Sequence, residues 1–212
     1  MPTDHQPPAL SKPLLGTIPI GASNVIEERF AGARILLKLP GGQIYIEADM
    51  DIDADGSPRA LEIDPGNGQL TTSLQFPGVS GQAKNVDAEK VPYFVLPGNR
   101  SHPEQSFFRR MGIRIGDVAA VIFKDKVSYA IFADVGPQDK MGEGSIALAQ
   151  SLGHNPFKIV NGKPIVKFSI PKDVIYIVFP QSRFSPLTPE TVVEKTRQAG
   201  KQLFIAIGGN PS

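Results

Sequence analysis

Two apolar segments split by a short polar turn constrain this chain most: Val118–Phe123 and Val127–Ala133, around Lys124-Asp125-Lys126. Both are rich in β-branched and aromatic residues, so they predict a β-hairpin. A second hairpin is predicted where Ala33–Lys38 and Gln43–Ala48 flank Pro40-Gly41-Gly42. Tyr93–Leu96, bounded by Pro92 and Pro97, reads as a strand, as do Val174–Phe179 and Leu203–Ile207. Residues 64–90 carry Asp64-Pro65-Gly66-Asn67-Gly68 and Pro77-Gly78, so turns dominate there. Two helices are readable. One runs from about Ser145 to Leu152, with Ser145 as cap and Gly153 as stop. The other runs from about Pro189 to Ala199, capped by Thr188 and closed by Gly200. Many short strands with few helices point to a β-barrel or sandwich and away from a doubly wound sheet. The fold expected is mainly β: a six-stranded, double-psi-like β-barrel with two or three peripheral helices. Arg114-Ile-Gly116-Asp117-Val118 is a Gly-Asp step of the kind such barrels use, although Asp117 serves equally as a turn residue.

At 212 residues, 41% of them hydrophobic, the chain suits one β-rich domain with decorations. Residues 1–17, rich in Pro and polar groups, are expected to form a flexible arm, leaving 18–212 as the folded domain. No apolar run approaches the roughly 20 residues of a membrane helix, and no membrane partner is expected. Cys is absent, which removes disulfides, thiolate chemistry and Cys-based metal sites together. His5, His102 and His154 are scattered with no paired spacing, so no zinc site is expected. Neither a nucleophile elbow nor a phosphate loop occurs. Net charge is +1 without a basic stripe, so no nucleic-acid partner is expected.

That balance hides a local excess of acid. Glu47, Asp49, Asp51, Asp53, Asp55, Glu62 and Asp64 stand against one Arg59, and the alternating acids follow a strand, so they share a face that attracts cations. From Asp51 the spacing through Asp53, Asp55 and Gly56 to Glu62 matches an EF-hand calcium loop. The flanking helices of an EF-hand are missing, and Pro58 and Arg59 break its second half. A cation-binding loop, an acidic lining for ammonium groups and a salt-bridged edge strand all remain open from pattern alone. A second pair of acids, Asp134 at the end of an apolar strand and Glu143 just before a capped helix, is separated by a loop with Gly136, Pro137 and Gly142. They suit the two carboxylates of a glycosidase, and equally a strand-end turn acid and a helix-start acid.

Three segments together are more specific. Asp49–Gly56 (DMDIDADG), Val91–Pro97 (VPYFVLP) and Phe132–Ala149 (FADVGPQDKMGEGSIALA) resemble, in the same order, motifs of glycoside hydrolase family 75, the chitosanases first known from fungi. The resemblance covers roughly residues 33–207. It implies internal cleavage of chitosan's β-1,4 glucosamine linkages with inversion, and it makes Asp134 and Glu143 the catalytic pair, Glu143 as acid and Asp134 as base. Asp49, Asp51, Asp53, Asp55 and Tyr93 would bind substrate, with no cofactor and no metal. Chitosan or glucosamine oligosaccharides would be the partners of a monomer. Ala54 stands where fungal members typically carry a cysteine, which implies a disulfide-free, bacterial-type member. Secretion is the family's habit, although the N-terminus MPTDHQPPALSK lacks the pattern of a secretory signal. A non-catalytic module binding calcium or a cationic glycan, and a hydrolase of another cell-wall glycan, are the alternatives.

Overall fold

The structure, a computed structural model, describes residues 5–211, so residues 1–4 of the expected arm lie outside the described residues. Its strands are β1 (Asn24–Val25), β2 (Ala33–Lys38), β3 (Ile44–Asp53), β4 (Tyr93–Pro97), β5 (Val118–Phe123), β6 (Lys126–Gly136), β7 (Glu143–Ser145), β8 (Phe157–Val160), β9 (Lys163–Val166) and β10 (Ile170–Phe179). Its α-helices are α1 (Lys12–Leu15), α2 (Ala60–Ile63), α3 (Phe107–Arg110), α4 (Ile146–Ser151) and α5 (Val192–Ala206).

The fold is mainly β, and six strands close into a barrel in the order β3-β10-β5-β6-β4-β7, with β7 pairing back onto β3. Four of the contacts are antiparallel, while β6–β4 and β7–β3 are parallel. Strand alternation sorts the side chains. Ile46, Met50, Phe94, Val121, Phe132 and Tyr176 fill the interior, where Phe132 stacks on Phe94 at 5.5 Å between ring centroids. Each such fully buried side chain contributes on the order of 2 kcal/mol. Tyr45, Ile122, Ile175 and Phe204 form an outer layer, and Leu74, Val86, Tyr93 and Ile131 another beneath the turn-rich segment before β4.

Both predicted hairpins form, as β5–β6 and β2–β3. Helix α4 is capped as expected: the Ser145 side chain accepts the Leu148 N–H. At the C-terminus the structure corrects the sequence reading. The second helix does not end at Gly200, and Leu203–Ile207 is not a strand; α5 runs through to Ala206. Val192, Thr196, Gly200 and Phe204 repeat every fourth residue along its buried face. Gly200 is there for close approach, since a Cβ would come within 2.7 Å of the Tyr129 ring. The remaining helices α1, α2 and α3 are single four-residue turns, too short for periodicity to reveal. In the N-terminal segment, Leu14 and Leu15 are buried in the outer layer and Thr17 N–H donates to the Gly208 carbonyl. Asp117 is a turn acid: its carboxylate accepts N–H bonds from Arg114, Gln181 and Arg183.

Candidate active site

Strand register across β3, β7, β4 and β6 builds the site. The β7–β3 pairing sets Glu143 beside Asp51, and the β7–β4 pairing sets Glu143 beside Val95. Val95 in turn pairs with Asp134 on β6. Laterally paired residues project to one face, so Asp51, Glu143, Val95 and Asp134 form a single row. Glu143 and Asp134 stand two strand spacings apart, about 9.6 Å between backbones.

A β-bulge makes that row possible. Phe94 pairs with Phe132 but Val95 pairs with Asp134, leaving Ala133 as the extra residue. With strict period two, Asp134 would follow Phe132 into the barrel interior. The bulge turns it outward instead, the use to which bulges beside functional sites are put.

The row opens into a cleft of about 900 Å³ whose walls carry six carboxylates (Asp51, Asp53, Asp55, Asp64, Asp134 and Glu143) against Arg100, Lys140 and Lys167. Asp134, 9% exposed, is anchored through one oxygen. Its Oδ1 accepts the Ser73 hydroxyl at 2.5 Å, the Ser73 N–H at 3.1 Å and the Val135 N–H at 2.7 Å. Burial raises its pKa, and the Ser73 and Val135 donors oppose that rise. Glu143 accepts from Lys140 at 3.0 Å through Oε1, while Oε2 lies over Gly136, where a Cβ would come to 2.5 Å. Lys140 also contacts Asp51 at 2.6 Å. Burial works to raise the Asp51 carboxyl, but bonds from Lys140 and Ser169 hold it below its ordinary value.

Asp53, Asp55 and Asp134 present oxygens within 4.8 Å of one another, close enough to share a cation. Their crowding has a cost. Burial, then repulsion by Asp55, pushes Asp53 well up, and burial with the charges of Asp134, Asp64 and Glu143 pushes Asp55 to about 7. The EF-hand spacing is not realised as an EF-hand, because Asp51 and Asp53 lie on a strand and Glu62 faces Lys163 at 3.9 Å.

Of the acids expected to bind substrate, Asp51, Asp53 and Asp55 line the cleft. The other two expected residues lie behind that lining. Tyr93 is fully buried, and its hydroxyl donates to the Asp55 carbonyl at 3.0 Å, so it supports the acidic loop from behind. Asp49 sits behind the lining; its Oδ1 is buried with no hydrogen-bond partner, wedged where Cβ atoms on Gly32 or Gly142 would strike it. Lys140, Ser73, Lys167 and Arg100 were missed by sequence reasoning. Only Lys140 gave a signal, lying three residues before Glu143 in the most specific motif.

Burial and the neighbouring Asp51 raise Asp49 to about 6 from an ordinary 3.8. The folded state therefore holds this proton more tightly than the unfolded state, so stability falls as pH rises between these values and the penalty is complete above about 6. Asp49→Asn removes that penalty. Discounted for partial solvent screening, the gain is about 1 kcal/mol at pH 8, or ~2–4 °C in Tm, vanishing near pH 3.5. Thermal melts of both proteins across pH check this; a pH-independent difference would count against it.

No curated protein sequence gives a significant match to this chain. Residues 50–204 match the family described as fungal chitosanase of glycosyl hydrolase group 75. The matched span includes the whole row from Asp51 to Glu143, the acidic loop and the bulged end of β6. The chain belongs to glycosyl hydrolase group 75.

Proposed function

We propose that this protein cleaves internal β-1,4 glucosamine linkages of chitosan by single displacement, with Asp134 as base and Glu143 as acid. The observation that carries the reading is the shared row of Asp134 and Glu143 in an acid-walled cleft. Inverting glycosidases separate their carboxyl groups by roughly 6.5–9.5 Å to admit a water, whereas retaining ones hold them roughly 5–5.5 Å apart. Two strand spacings favour the wider arrangement. Asp134 keeps Oδ2 available while Ser73 and Val135 fix Oδ1, the arrangement of an oriented carboxylate. Its raised pKa makes it a better base. In the reaction Oδ2 takes a proton from water as the water oxygen bonds to the anomeric carbon. The glycosidic bond breaks with its electron pair on the leaving oxygen, which receives the Glu143 proton. The cleft's excess of carboxylates suits a polymer bearing an ammonium group on each sugar.

The test is a digestion followed by proton NMR. Chitosan should yield the α-anomer first, with viscosity falling well ahead of reducing-end release. A β-anomer as first product overturns the single displacement. Chitin and peptidoglycan as parallel substrates decide the polymer, and preferential cleavage of either removes the chitosan assignment.

A further inference from the structure

Lys140 is the one cation that touches the proposed catalytic pair among the described residues. Its ammonium lies 2.6 Å from Asp51 and 3.0 Å from Glu143, bridging β3 to β7, and the side chain is only 30% exposed. Burial disfavours the charged lysine, yet the bonds to Asp51 and Glu143 more than offset this and raise its pKa, so the bridge is charged throughout the working range. The loop carrying it is held independently of the side chain. Ala31 N–H donates to the Asp139 carbonyl at 2.8 Å and Met141 N–H to the Ala31 carbonyl at 2.9 Å. The ammonium is thus not needed to pin the loop.

The other titratable groups that face Glu143 are all acids. Asp49, Asp51 and Asp53 on β3, Asp55 beyond it and Asp134 on β6 are carboxylates, and Tyr176 on β10 is a buried phenol. Arg100 and Lys167 lie elsewhere on the cleft wall. Lys140 is the positive charge set against these acids at the Glu143 carboxyl.

We infer that Lys140 is a positioning residue whose bridge to Asp51 and Glu143 holds the Glu143 carboxyl in place and sets the charge it meets in the cleft. The inference rests on the reading of Glu143 as general acid. Lys140 then sets the upper pH limit of cleavage, which loss of its charge beside the acid moves upward.

The experiment is the pH dependence of kcat/KM on chitosan for wild type, Lys140→Met and Lys140→Arg, with Tm as the check on folding. In Lys140→Met the alkaline limb should move up by about one pH unit, the scale of a contact at this distance in a wet site. The acid limb should stay in place, and Lys140→Arg should restore the wild-type profile. A merely structural lysine would change Tm or rate and leave the limbs where they are. A folded Lys140→Met with both limbs unmoved overturns the inference. Movement of the acid limb alone supports control by Lys140 but overturns Glu143 as acid. Full activity in Glu143→Gln would sink the pair itself, whatever Lys140 does.

Discussion

Asp134→Asn and Glu143→Gln are each expected to lower kcat on chitosan by about 10²–10⁴-fold while the protein stays folded, the range general acid–base groups supply. Both changes keep shape and remove only the capacity to take or give a proton. In Asp134→Asn the new side-chain amide oxygen can still accept the Ser73 and Val135 donors, so the bulge and row remain. The double variant should be little worse than the worse single one, because in the proposed single displacement the two groups act in one step. Asp134→Asn carries its own sign that the site is intact. The Asp134 charge raises both Asp53 and Asp55, so their titrations, read by carboxyl NMR, should move down in the variant. Reducing-end release at the wild-type rate by either folded variant would refute the catalytic assignment.

The strands around the site were legible because their chemistry is local. Val118–Phe123 and Val127–Ala133 state a hairpin through β-branched content and a polar turn, and β5 and β6 pair from Phe123 with Lys126 to Val118 with Ile131. Ser145 was readable as a cap for the same reason, though it does more than cap. Its hydroxyl donates to the Val91 carbonyl and accepts the Tyr93 N–H, tying β7 to β4. What periodicity could not reveal was β7 itself. Three residues, two of them Glu143 and Gly144, have no strand signature, and the strand exists because β3 and β4 offer it edges. Gly200 misled for a related reason: a glycine read as a helix stop is a packing contact with a ring on another element.

The site divided along the same line. Asp134 and Glu143 were assigned through the company of three motifs, since nothing in their spacing records a shared row. That row depends on Ala133 being the surplus residue against β4, a property of the pairing and not of either strand alone. Tyr93 and Asp49 were assigned to the substrate because they sit in motif segments. In the fold the Tyr93 ring lies in the outer core, and the Asp49 Oδ1 is buried against Gly32 and Gly142. Ser73, sixty-one residues from Asp134 in the chain, gave no local sign of meeting it.

Gly142→Ala is expected to cost about 2–5 kcal/mol and to disable the site along with the fold. Gly142 holds φ +90°, which strains any residue with a Cβ by roughly 1–2 kcal/mol. Space adds to this: a Cβ would meet the Asp49 carbonyl at 2.6 Å and strike the Asp49 carboxylate. Neither can yield cheaply. The Asp49 carbonyl accepts the Tyr176 hydroxyl at 3.2 Å, and the Gly142 carbonyl accepts the Asp51 N–H at 2.8 Å. Relief therefore comes by pushing the Gly142 end of β7 away from β3, with an overpacking cost of roughly 1–3 kcal/mol. Glu143 is the next residue, so the same displacement pulls it from Asp51, from Lys140 and from its place in the row with Asp134. The expected result is a fall in Tm of about 5–15 °C, with kcat reduced at temperatures where the variant is still folded. Gly136→Ala is the informative companion, since its Cβ would press on the Glu143 carboxylate without the positive φ. It should lower kcat with a smaller loss of Tm. A Gly142→Ala protein that melts and cleaves like wild type would show that the β3–β7 junction does not position Glu143.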